Sequence, residues 1–124
     1  MSKILVVEDD RNLSELIKMR LEENGFEVVT AYDGLEAISQ VRKHKPDLIV
    51  LDLMLPRLDG YQVCTIIKNY ETFSKIPIII LTARSSIEAK EIAFKTGADA
   101  FMVKPFDGQK LVATIKNLLV PKSS

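Results

Sequence analysis

The chain has 124 residues, 47% hydrophobic and 27% charged, which suits one globular domain with a sizeable core. Its 17 basic and 17 acidic residues cancel to a formal net charge of +0, so neither nucleic acid nor an anionic membrane surface is expected as a partner. No apolar run approaches the roughly 20 residues of a membrane span, and the run from Ile4 to Val7 leads into acids rather than a signal-peptide cleavage site, so a cytoplasmic protein is expected.

Lys3 to Val7 reads as a short buried strand, followed at once by Glu8-Asp9-Asp10. Asp10 or Asn12 can cap the next helix, whose apolar stripe is Leu13, Leu16, Ile17 and Leu21, and Asn24-Gly25 ends it. Phe26 to Ala31 alternates more and predicts a strand nearer the sheet edge. Asp33-Gly34 starts a second helix with Ala37, Ile38 and Val41 inward. His44 closes that helix beside Lys43 and Lys45, as an exposed helix-end cation rather than a phosphate carrier. Leu48 to Leu51 is too short for a typical helix and too apolar for a surface strand, so it reads as a strand buried on both faces. Asp52 stands at its end, where the pattern wants another aliphatic.

Pro56 and Asp59-Gly60 make the turn into a helix over about 60–70, where the lone Cys64 sits among Val63, Ile66 and Ile67 as a small core residue. Ile76 to Thr82 is a fourth buried strand, ending in a hydroxyl. A helix follows from Ser86 to Lys95 and stops at Thr96-Gly97. Asp99 to Lys104 is a fifth strand, ending in an ammonium and followed by Pro105. The last helix runs from Asp107 to about Leu119, with Leu111, Val112, Ile115, Leu118 and Leu119 inward. Residues 120–124 read as a frayed tail or the start of a linker. Strands alternating with helices in this way imply right-handed crossovers and an α/β fold with a parallel sheet covered on both faces. One domain over 1–124, with its core at about 3–119, is expected.

Four strand ends carry functional side chains: Glu8 and Asp9 after the first strand, Asp52 at the third, Thr82 at the fourth and Lys104 at the fifth. In a parallel sheet these lie on one edge, where open α/β sheets bind ligands. Each has a plain structural reading, as a cap, a satisfied backbone partner or a solvated strand end. Their coincidence at matching positions favours a site. Carboxylates roughly 5 Å apart at an effective dielectric of about 20 repel by about 3 kcal/mol per pair, so three of them cost on the order of 10 kcal/mol. One lysine offsets part of that, so either the pKa values rise or a divalent cation joins them. Hard oxygen ligands suit Mg2+. Metal, carboxylate nucleophile, hydroxyl and ammonium together form a phosphoryl-transfer set in which Asp52 attacks phosphorus.

With its motifs assembled, the sequence closely resembles the receiver domain of two-component response regulators over residues 3 to about 119. The motifs are Ile-Leu-Val-Val-Glu-Asp-Asp at 4–10, Asp-Leu-Ile-Val-Leu-Asp-Leu-Met-Leu-Pro at 47–56 with Asp59-Gly60, Leu-Thr-Ala at 81–83, and Gly-Ala-Asp-Ala-Phe at 97–101 with Lys-Pro-Phe at 104–106. The resemblance implies a flavodoxin-like, doubly wound sheet of five strands in the order 2-1-3-4-5 with five helices. It implies phosphoryl transfer to Asp52 from a sensor histidine kinase or phosphotransfer protein. Asp9, Asp52 and the backbone carbonyl of Met54 would bind Mg2+, with Glu8 acting through metal-bound water. Lys104 would pair with the phosphoryl group, with a cis Lys104–Pro105 bond fixing its approach. Thr82 and Phe101 would form the switch, and the small Ala83 would leave room for the donor. Side chains at Met54 and Arg84 would tune a slow self-catalysed loss of phosphate. By this reading the chain is a signalling phospho-acceptor, not an enzyme toward other substrates.

On the 86–95 helix, Ala89, Ile92, Ala93 and Thr96 are expected against the sheet, and Ile87 and Phe94 on nearly the opposite side offer a surface for a downstream protein or a self-dimer. In the winged-helix transcription-factor branch that face forms a dimer ringed by ion pairs; Lys110 and Thr114 stand here where that branch places an acid and an arginine. The alternative reading is a phosphorylation-independent, receiver-like interaction module. An aspartate-nucleophile phosphohydrolase would want an acid at position 54, and a flavin binder would not place Glu8-Asp9-Asp10 at its phosphate loop.

Overall fold

A computed structural model describes residues 1–120; the expected tail at 121–124 lies outside the described residues. The elements follow the predicted alternation: β1 (Lys3–Val7), α1 (Arg11–Glu23), β2 (Glu27–Ala31), α2 (Gly34–His44), β3 (Leu48–Leu51), α3 (Gly60–Asn69), β4 (Ile78–Thr82), α4 (Ile87–Lys95), β5 (Ala100–Val103) and α5 (Gly108–Leu119). All four strand pairings are parallel, in the order β2-β1-β3-β4-β5.

Alternate residues of the central strands feed two cores. Leu5, Val7, Ile49, Leu51, Ile78 and Ile80 point to the layer of α2, α3 and α4. Ile4, Val6, Leu48, Val50, Ile79 and Leu81 point to α1 and α5. Burial on both faces is why these strands read as continuous aliphatic runs. β2, at the edge, is only half-buried along Val28 to Thr30, as its alternation predicted.

Each helix begins on a side-chain acceptor. Asp10, Asp33, Asp59, Ser86 and Asp107 accept from backbone N–H groups in the first turn of α1 to α5. Such a cap contributes about 1 kcal/mol. Asp10, and not Asn12, is the cap of α1, accepting from Leu13 N–H at 3.1 Å.

Several boundaries and faces differ from expectation. β4 starts at Ile78 because Pro77 has no N–H to give. Asp99 lies before β5, where its backbone N–H donates to the Ile78 carbonyl at 2.8 Å and its carboxylate adds further bonds. That carboxylate accepts from Ile78 N–H at 2.8 Å and from Lys68 Nζ at 3.1 Å, while Lys68 also donates to the Ile76 carbonyl at 2.6 Å. Phe26 precedes β2 as a buried core side chain. Leu16 is 63% exposed, because the inward stripe of α1 runs through Ser14, Ile17 and Leu21. Ile92 is also exposed, and α4 buries only Ala89 and Ala93.

Two glycines fix the loop after β3. A Cβ on Gly34 would meet the Leu58 carbonyl oxygen at 2.2 Å, and one on Gly60 would meet the Asp52 carbonyl oxygen at 2.3 Å and Leu53 Cα at 2.6 Å. Both neighbours are backbone and cannot swing aside. Gly60 therefore holds the first turn of α3 directly against the residue that ends β3. Helix propensity alone predicts that Gly60→Ala stabilises by up to about 1 kcal/mol. The close approach predicts the reverse, a loss of about 1–3 kcal/mol, to be read as a lower urea midpoint; a midpoint that rises would show that this contact is soft.

Candidate functional site

The parallel register brings the C-terminal ends of the strands level. Val7 pairs with Leu51, Leu51 with Ile80, and Thr82 with Val103. Glu8, Asp52 and Lys104 each follow a paired residue and continue the ladder by one bond. Glu8 N–H donates to the Ala31 carbonyl at 3.0 Å, Asp52 N–H to the Val7 carbonyl at 3.1 Å and Lys104 N–H to the Thr82 carbonyl at 2.8 Å. The backbones of all three are therefore set by the sheet rather than by loops.

Their side chains meet. Lys104 Nζ donates to Asp52 Oδ2 at 2.8 Å and to Glu8 Oε1. The other oxygens of both acids are also occupied: Asp52 Oδ1 accepts from Met54 N–H and Glu8 Oε2 from Asp10 N–H, each at 3.1 Å. Asp9 is exposed beside them. Glu8, Asp9 and Asp52 each offer one carboxylate oxygen, and these atoms all lie within 4.8 Å of one another. With Lys104 counted, the cluster keeps two surplus negative charges. An all-oxygen donor set with excess negative charge fits a hard divalent cation such as Mg2+.

Burial shapes the charges. Glu8 is 3% exposed. Burial pushes its carboxyl above the ordinary value, against the lowering by its bonds from Lys104 and Asp10 N–H, and the nearby Asp52 charge adds to the rise. Burial pulls the Lys104 ammonium down, but the hydrogen bonds to Asp52 and Glu8 outweigh it, so its pKa is raised.

Thr82 is fully buried, and its Oγ1 accepts from Arg84 N–H at 3.3 Å. Phe101, paired with Ile80 in the sheet, is half-buried against the α2–α4 layer. The Lys104–Pro105 bond is cis, as the resemblance implied. Met54, Arg84 and Asp9 line one cleft with Tyr61. His44 is half-buried at the far end of α2 and takes no part in the cluster; Cys64 is buried, and its Sγ donates to the Thr96 carbonyl at 3.4 Å. Sequence reasoning did not find Tyr61, whose hydroxyl donates to the Ala89 carbonyl at 3.2 Å and so ties α3 to α4. That contact spans 28 positions, and no local pattern signals it.

Residues 4–116 match the family profile described as "Response regulator receiver domain". The chain belongs to the response regulator receiver domain family. It is 40% identical over 119 residues to the DNA-binding dual master transcriptional regulator RpaA of Synechocystis, covering 96% of this chain and 49% of that protein. It is 42% identical over 117 residues to the alkaline phosphatase synthesis transcriptional regulatory protein PhoP of Bacillus subtilis, covering 94% and 48%. The chain thus spans about half the length of the curated relatives it matches. A crystal structure of a two-component response regulator from Clostridium difficile superposes with a TM-score of 0.93 at 31% identity, covering 100% of both chains. No helix among the described residues is long and apolar enough to cross a membrane.

In this receiver the raised Glu8 pKa has a definite consequence for stability. The folded state binds the Glu8 proton more tightly than the unfolded chain, whose value is near 4.5. Glu8 therefore favours the folded state at low pH, and that contribution is lost as pH rises from about 4.5 through the raised folded value. In metal-free buffer, the stability of Glu8→Gln relative to wild type is expected to increase as pH climbs through this window. Urea unfolding at a series of pH values measures it, and a flat difference would count against the buried, crowded carboxyl.

Proposed function

We propose that this receiver takes a phosphoryl group onto Asp52 from a phosphohistidine of a sensor histidine kinase or phosphotransfer protein, and that the modification changes a surface read by a downstream partner. The observation that carries the proposal is the Asp52 carboxylate itself, at the end of a buried strand, gripped by Lys104 Nζ and Met54 N–H among crowded acids. A structural acid would need one good partner; this one sits where like charges make it costly.

An ionised carboxylate needs no general base. An Asp52 oxygen attacks phosphorus, the P–N bond to the donor imidazole breaks, and its electron pair stays on the histidine nitrogen. Asp9, Asp52 and the Met54 carbonyl would hold Mg2+, with Glu8 acting through metal-bound water, and the ion would neutralise the phosphoryl oxygens. Lys104 would exchange part of its grip on Asp52 for the phosphoryl group. Thr82, whose oxygen only accepts from Arg84 N–H, keeps a hydroxyl proton to donate. Phe101 is half-buried on the neighbouring strand and would follow Thr82 inward. Ala83, small and exposed, leaves the donor an approach.

The readout surface is placed on α4 and its neighbours. Ile87 is 78% and Phe94 43% exposed there, beside Val103 at 39%. They suit a downstream protein or a self-dimer. Lys110 is exposed and Thr114 donates its hydroxyl to the Lys110 carbonyl at 2.8 Å, so neither supplies the acid and arginine of the winged-helix dimer. Receiver function in a cytoplasmic signalling chain, acting catalytically only on itself, is the reading these features support.

Incubation with Mg2+ and a small acyl phosphate is expected to add one phosphate to wild type, none to Asp52→Asn, and none in EDTA, as read by intact mass. An adduct of undiminished yield on Asp52→Asn would overturn the assignment. The bulky Met54 and the long Arg84 flank the cleft beside Asp9, so they would obstruct an attacking water. The phosphorylated protein is expected to lose phosphate slowly, and Met54→Ala or Arg84→Ala to shorten its half-life several-fold. Half-lives that barely move would remove both residues from this role.

A further inference from the structure

We infer that the groove between α2 and α3 is a docking surface for an acidic, amphipathic helical segment of a partner protein. No α4 residue lines it, and it does not depend on phosphoryl transfer at Asp52. Beside its buried row, each of the two helices carries apolar side chains that stay partly or largely exposed. α2 and α3 turn Ala37, Val41, Val63 and Ile67 inward, and these are fully buried. Beside them Leu35 and Ile38 on α2, Ile66 on α3 and Tyr70 just past its end line clefts that share Ile38, Arg42 and Ile66. Leu35 is 47%, Ile66 37% and Tyr70 49% exposed. Single exposed apolars are ordinary, but neighbours along two adjacent helices form a continuous strip.

The strip is shaped as a groove. The wider cleft is open, spans about 600 Å³ and is lined in part by Leu58, whose backbone lies close against Gly34. Its polarity selects the occupant. Arg42 and Lys43 are its only charged lining residues, and no acid lines either cleft. Both are exposed, and neither has a carboxylate partner among the described residues. The Arg42 guanidinium lies 5.7 Å from the Tyr70 ring centroid, which places its charge at the apolar strip. A helix-in-groove partner presents apolar anchors at i, i+3 or i+4, and i+7. Here such anchors would fall between Leu35 and Ile66, and flanking Glu or Asp would meet Arg42 and Lys43. A basic helix would meet only like charge.

The test uses the whole chain and two labelled peptides of about 15 residues, with identical leucine anchors and either glutamates or lysines between them. Fluorescence anisotropy gives affinity and amide chemical shifts give the location. The acidic peptide is expected to bind saturably, to perturb residues 35–43 and 58–70, and to exceed the basic one in affinity. Ile66→Asp should weaken it by at least about tenfold, the scale expected for losing a groove anchor, while Asp52 phosphorylation is unchanged. Arg42→Glu with Lys43→Glu should invert the peptide preference. Tyr70→Ser replaces Ile66→Asp if the latter unfolds. Equal affinities for the two peptides, binding indifferent to the anchor variants, or perturbations on α4 and α5 would each overturn the assignment. So would a concentration-dependent dimer lost in Ile66→Asp, which would give the face to a second copy.

Discussion

A single ammonium between two carboxylates joins the ends of three strands. Lys104 arrives from β5, Glu8 from β1 and Asp52 from β3, although β4 lies between β3 and β5 in the sheet. The long lysine side chain reaches across the intervening strand end, where Thr82 stays short and buried. Remove that charge and Glu8 and Asp52 face each other in a place too dry to screen them. The acidic cluster around that ammonium is an all-oxygen set that fits a hard cation.

The sheet makes the arrangement possible by removing freedom from the backbone. Each of the three residues continues the ladder by one bond past the last paired residue. Their Cα positions are thus inherited from aliphatic packing on both faces, not from loop conformation. Behind them, Gly60 presses the first turn of α3 onto the Asp52–Leu53 backbone, and Gly34 holds Leu58 in the same loop. The loop that carries Met54 is thereby fixed at both ends, which is the rigidity a site needs when its chemistry depends on placing one oxygen.

The opposite quality marks α4. It buries two alanines where α5 buries Leu111, Val112 and Ile115. Its larger apolar side chains, Ile87, Ile92 and Phe94, stay exposed. Such an element is held by few apolar contacts, supplemented by the Tyr61 hydroxyl bond to the Ala89 carbonyl. Low local packing is the usual property of segments that can shift at small cost. The protein thus sets a firm acidic edge beside a lightly held helix, and keeps a separate apolar groove on α2 and α3.

The sequence by itself determined the alternation of strands and helices, the double burial of β1, β3 and β4, and the helix starts. These are local matters: aliphatic runs of strand length, Asp or Ser acceptors before periodic apolar stripes, and glycine or proline stops. It also carried the candidate site residues, because a carboxylate, hydroxyl or ammonium breaking an aliphatic run at its end is visible without coordinates. The strand order came from resemblance of the assembled motifs and not from periodicity. Only the tertiary structure decided that Leu16 and Ile92 face solvent, because a stripe's edge is set by the neighbour it packs on and not by its period. Only it showed the Asp99 carboxylate adding to its backbone bond with Ile78, Tyr61 reaching α4, and the glycines pressed on backbone. Each of these depends on residues far apart in sequence arriving at one distance, and no local preference encodes a distance.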